Sequence, residues 1–134
     1  NLKELTPQKI LEAKLFELQF AHGEWGGANE MHTLSNGKIG VLGHMARFDA
    51  QGGRHYYPVI FIFNPKTGTY SEFKILFESA DLPPGLAKRE GLGDVIFAGG
   101  LTRNKDGTAD VTVGRKDSEA YTVRIKDPFL EHEK

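Results

Sequence analysis

A length of 134 residues is that of one domain, and a net charge of −1 gives no global pull toward nucleic acid or an anionic membrane surface. The absence of cysteine rules out disulfides and thiolate zinc sites, which fits a cytoplasmic location, and no apolar run approaches the ~20 residues that span a bilayer. Hydrophobic residues at 39%, nine Phe and four Tyr provide for a core, and 16 Gly favour a fold of many tight turns.

The chain opens on Asn1 with no signal-peptide pattern, so a fragment or a processed product is expected. Thr6-Pro7 opens a short helical turn, because proline is tolerated at the first helical position. Residues 13–20 alternate, with Phe16, Leu18 and Phe20 on one parity and Glu17 and Gln19 on the other; period two predicts a half-exposed strand. A short strand is expected at 31–34. Asn36-Gly37 supplies the positive φ angles of a type I′ hairpin turn.

The next strand is predicted over 39–48, with a turn at 49–53 and a further strand over 54–64. The run from Val59 to Phe63 is apolar at both parities, so both of its faces should be buried. A turn at 65–68 leads to a strand at 69–77. Residues 78–93 form the longest irregular segment, and Pro83-Pro84-Gly85 excludes a central strand there. Strands follow over 95–101, 108–114 and 119–125, before a charged tail at 127–134 that is expected to be frayed or helical.

No alternation of strands and helices appears, so a doubly wound nucleotide-binding fold is excluded. The expected fold class is all-β, built of antiparallel meanders. Middle strands buried on both faces fit propeller blades stacked face to face, and a β-sandwich is the alternative. As blades, residues 13–20 would be the outer strand of a preceding blade, 30–77 one blade and 93–126 most of another. Propellers close with about 4–8 blades, so this chain would need the missing N-terminal part of the same protein, or another copy, as partner.

Several side chains carry chemistry. Asn29 and Glu30 follow a Gly-Gly pair that lets backbone approach a ligand, and Trp25 is near enough to stack on a sugar; the alternative for Glu30 is an exposed turn carboxylate. His44 is either a buried, hydrogen-bonded histidine or a contact to phosphate or a sugar hydroxyl. Arg47, Arg54 and His55 flank one turn and can clamp an anion, or they decorate a solvated loop. Tyr56 and Tyr57 point to opposite faces of their strand, so at most one faces any cleft. Asp94, at the mouth of a strand, can accept from sugar hydroxyls or act as a base, or it caps the glycine-rich loop before it. Asp117 is explained equally by turn chemistry. The three histidines His32, His44 and His55 match no metal-binding spacing, and no phosphate loop, nucleophile elbow or RNA-binding strip is present. No cofactor or metal is called for.

Together, Trp25-Gly26-Gly27-Ala28-Asn29-Glu30, Gly40-Val41-Leu42-Gly43-His44, Arg54-His55-Tyr56-Tyr57 and Asp94-Val95-Ile96-Phe97-Ala98-Gly99-Gly100 resemble the C-terminal part of an uncharacterised five-bladed β-propeller family. More distantly they resemble the five-bladed propellers that phosphorolyse or hydrolyse β-mannosides. The resemblance implies a carbohydrate-active parent that cleaves a β-linked glycoside by inverting displacement, with phosphate as a possible co-substrate. It implies sugar contacts from Asn29, Glu30, His44, Tyr57, Asp94 and Asp117. Arg115-Lys116 stands where those enzymes carry Ala-Ala, and Met45 follows His44 where they carry Gly. Their general acid belongs to an early blade with no counterpart here, so this chain alone is expected to be inactive. The competing reading is a carbohydrate-binding or scaffold propeller without catalysis.

Overall fold

A computed structural model of the chain describes residues 4–17, 19–82, 94–115 and 119–134. The fold is all-β. After a short helix α1 (Pro7–Leu11), the strands are β1 (Glu24–Thr33), β2 (Ile39–Phe48), β3 (Arg54–Asn64), β4 (Thr69–Tyr70), β5 (Lys74–Ile75), β6 (Asp94–Arg103), β7 (Thr108–Arg115) and β8 (Glu119–Lys126). Two antiparallel ladders, β1-β2-β3 and β6-β7-β8, are joined where β3 and β6 run parallel; β4 and β5 pair with β3 farther along the same edge, opposite β2. The sheet does not close, and β1 and β8 are its ends.

Three hairpins turn in the same way. Leu34, Asp49 and Asn104 each accept from the amide of the glycine three residues on, while their own amides donate to Lys38, Gly53 and Thr108. The glycines Gly37, Gly52 and Gly107 sit at φ of 79°, 81° and 82°. Each loop is therefore a three-residue connection with a left-handed glycine, not the two-residue type I′ turn expected at Asn36-Gly37.

The core lies between the ladders. Leu42, Ile60 and Ile62 from the first meet Ile96, Ala98, Val111 and Val113 from the second, with Phe77, Leu82 and Phe129 closing the cluster. Alternation along β2 and β3 aims their other parity, Val41, Val59 and Phe61, at the opposite side. There Phe61 meets Phe73 and Tyr70, and Phe16 packs on Phe63 and Tyr70. This confirms burial on both faces of β3.

Two expectations are corrected, and of the two for the tail, frayed or helical, the helical one holds, with a 3-10 helix over Leu130–Glu133. Residues 13–20 form no strand at their described positions; their alternating phenylalanines plug gaps, Phe16 on Phe63 and Phe20 on Phe73. The strand at 69–77 is broken into β4 and β5, and Ser71 turns inward between them to receive the Ile62 amide. The tail is docked rather than frayed. Phe129 is fully buried, in a space that Gly40 leaves open: a Cβ there would stand 2.6 Å from the Phe129 ring. Arg103 then ties Asp127 at 2.7 Å and Glu133 at 2.8 Å. The Pro83-Pro84-Gly85 segment lies outside the described residues.

Candidate functional site at the seam between the ladders

The ladders touch through two bridge pairs, His55 with Asp94 and Tyr56 with Val95. Because successive strand residues face opposite ways, the seam has two chemically different sides. His55, Tyr57 and Asp94 share one, while Arg54, Tyr56 and Phe97 share the other.

The first side is a closed polar network. His55 Nδ1 donates to Asp94 Oδ2 at 2.7 Å and Nε2 donates to Asp49 Oδ2 at 3.0 Å. The Tyr57 hydroxyl donates to the same Asp94 oxygen at 2.8 Å. Two carboxylates raise the His55 pKa, Asp49 first and Asp94 second, which favours the imidazolium form. Asp49 is lowered in return, chiefly by His55 and then by the Gly53 amide. Burial raises the Tyr57 pKa and Asp94 adds to the shift, against an opposing contribution from Arg47. His55 is thus matched by Asp49 and Asp94, and Arg47 bonds the Tyr57 hydroxyl.

The second side is an aromatic face. Trp25 packs against Phe48 with centroids 5.0 Å apart and edge-on to Tyr56 at 5.9 Å. Tyr56 lies 4.8 Å from Phe97, and the His44 ring is within 6.2 Å of both. Phe48 and Phe97 keep 54% and 41% of their surface exposed, far more than a core aromatic. Arg54 sits over Phe48 at 5.7 Å. Opposite His44 in the register stands Gly27, which has no side chain to cover the ring.

A bulge in β1 sets up His44. The register slips between Ala28 and Glu30, so Asn29 is the extra residue and its side chain swings to His44. His44 Nδ1 donates to Asn29 Oδ1 at 2.8 Å, which leaves Nε2 as an acceptor. Burial lowers the His44 pKa, which favours the neutral ring.

The structure separates residues that the sequence grouped. Tyr57 and Asp94 are brought together, but His44 pairs with Pro58 and stands on the opposite side from Tyr57. Arg47 and His55 pair on one side and Arg54 projects to the other, so the three do not form one clamp. Glu30 is neither a turn residue nor free: its Oε2 accepts from the Leu101 amide at 2.9 Å, where a second bulge lies in β6 between Ala98 and Gly100. Its Oε1 lies 3.0 Å from His32 Nε2, outside hydrogen-bond alignment. Gly26 of the Gly-Gly pair serves packing, since a Cβ on it would stand 2.1 Å from the His44 carbonyl oxygen. Asp117 lies outside the described residues. Among the described residues no group of three or more His, Asp or Glu is arranged to hold a metal ion, and no helix is long and apolar enough to cross a membrane. Asp49 was legible only as a turn former, although an aspartate opening the hairpin that leads into His55 was a signal; the exposed rings of Phe48 and Phe97 gave none.

Residues 1–131 match the model of a family described as protein of unknown function (DUF1861). Among solved structures, the whole chain superposes on MPT-4, a mannose phosphorylase from Leishmania mexicana in complex with a phosphate ion, at a TM-score of 0.88 and 30% identity, covering 43% of that chain. It matches MPT-1, a GDP-Man-dependent mannosyltransferase of the same organism, at 0.87 and 32% identity over 44% of that chain. A hypothetical protein from Leishmania major matches at 0.84 and 29% identity over 43% of its length. The chain thus spans less than half the length of these structures. No curated protein matches it.

Proposed function

We propose that this chain, which belongs to the DUF1861 family, builds two blades of a β-propeller protein that acts on mannosides, in the manner of a phosphorylase or hydrolase. The observation that carries the reading is the likeness along 100% of the chain to a mannose phosphorylase, at a TM-score of 0.88 and 30% identity. The unclosed sheet ending on β1 and β8 fits a piece that is completed by further blades.

In the proposed reaction a carboxylic acid protonates the glycosidic oxygen while phosphate or water attacks the anomeric carbon from the opposite face. The bond from that carbon to the leaving oxygen breaks as the bond to the incoming oxygen forms. Within this chain, Asn29 and His44 supply hydroxyl contacts, with the uncapped His44 Nε2 as acceptor. Asp94 and Tyr57 act as positioning residues that fix the seam. The proton donor comes from outside the chain, because Glu30 and Asp94 already serve the Leu101 amide and the His55–Tyr57 pair. That engagement also favours a second reading, a carbohydrate-binding propeller without catalysis.

The test is turnover of a panel of β-linked mannosides and glucosides by the full natural protein, with and without phosphate. Phosphate-dependent cleavage of a mannoside supports a phosphorylase, and cleavage without phosphate a hydrolase. Binding of mannosides with no cleavage selects the second reading, and neither binding nor cleavage overturns both.

A further inference from the structure

We infer that the aromatic face of the seam is a stacking platform for the apolar face of a pyranose ring, with Tyr56 and Phe97 as its floor, Trp25 and Phe48 as its extension, and His44 at its polar edge. The inference rests on the carbohydrate reading above and deepens it, because it assigns the saccharide to one side of the seam and excludes it from the other.

Four observations carry it. The rings come from four strands, β1, β2, β3 and β6, yet the register places them on one face. Within this chain nothing covers the outer surface of Phe48 and Phe97, which are 54% and 41% exposed among the described residues. The polar groups at the edge are those that bind hydroxyls: neutral His44 with a vacant acceptor, oriented by Asn29, and Arg54 beside Phe48. An apolar floor with a few placed polar groups is the common make-up of small-molecule sites, and pyranoses offer C–H faces to aromatic rings and hydroxyls to the rim. On the other side of the seam, His55, Tyr57 and Asp94 Oδ2 are engaged with one another and with Asp49, and Asp94 Oδ1 stands outside the network.

The experiment measures affinity for β-linked mannobiose, by calorimetry on the full natural protein, for wild type, Phe97→Ala and Phe48→Ala, with a melting curve for each. Trp25 is the chain's one tryptophan, so a change in emission on adding mannobiose that disappears in Trp25→Phe is a second readout. The expected result is a loss of about 5–10-fold in affinity for Phe97→Ala and for Phe48→Ala at unchanged melting temperature. Wild-type affinity in both alanine variants overturns the platform while leaving the carbohydrate reading intact. A lowered melting temperature with unchanged affinity assigns the rings to packing and also overturns it. Wild-type protein that binds no saccharide by either readout fails both.

Discussion

Tyr57 and Asp94 are 37 residues apart, yet the tyrosine hydroxyl donates to the aspartate at 2.8 Å across the seam where the two ladders meet. The same carboxylate oxygen receives His55. The contact therefore holds β3 to β6 as well as orienting a pair of polar groups.

Asp94→Asn is expected to destabilise the protein by about 1–2 kcal/mol, the range for weakening a part-buried, charge-assisted hydrogen bond. Asparagine keeps an acceptor for Tyr57 but cannot balance His55. Chemical denaturation measures the change. Full stability in the variant would show that the ladders do not depend on this carboxylate.

The same network sets a pH dependence. The His55 pKa is raised above 6.5 by Asp49 and Asp94, so its stabilisation is complete below pH 6.5 and is lost as pH rises through the higher, folded value. His44 has the opposite sign: its pKa is depressed below 6.5 by burial, so its contribution is present above pH 6.5 and is lost as pH falls. Melting temperatures of His55→Asn should lose the decline on the alkaline side, and those of His44→Asn the decline on the acid side. Unchanged profiles in both variants would contradict these assignments.

Docking of the tail should fail in acid. Arg103 first, and then the Ser35 amide, hold the Glu133 carboxyl at about 2, against an ordinary 4.5. The stabilisation is present above pH 4.5 and is lost as pH falls toward that lowered value. Hydrogen exchange at Ser35, whose amide donates to Glu133 Oε1 at 2.9 Å, should accelerate over this window. Slow exchange that persists in Glu133→Gln would contradict the assignment.

Gly40→Ala should cost about 1–3 kcal/mol, the range for overpacking a filled core, because the new methyl meets the Phe129 ring. Phe129→Ala should cost about 3–5 kcal/mol alone. The double variant should cost less than the sum, since the methyl then enters the vacated space. Strict additivity by denaturation would show that the two residues are not in contact.

Much of the fold could be read from residue order. β2 and β3 appear with their full bounds because long apolar runs end at glycine turns, and Val59 to Phe63 announces its own double burial. What failed depended on distant partners. Phe16 and Phe20 alternate as strand residues do, but their spacing answers gaps beside Phe63 and Phe73 rather than a ladder. Phe129 is held by the missing side chain at Gly40, 89 residues earlier in the chain. At the site, Tyr57, Asp94 and His44 were named together as sugar contacts, and the structure sets Tyr57 beside Asp94. Separating them from His44 needed the register of β2 on β3, and the pairing of Asp49 with His55 needed the hairpin to fold back. Neither is a local property.

The central claim is that this chain belongs to a protein acting on mannosides, and phosphorus NMR tests it most directly. The full natural protein is incubated with β-linked mannobiose and inorganic phosphate while the spectrum is followed over time. The account predicts a growing sugar-phosphate signal if the protein is a phosphorylase, or free mannose with the phosphate signal unchanged if it is a hydrolase. Intact mannobiose together with an absence of saccharide binding would contradict it.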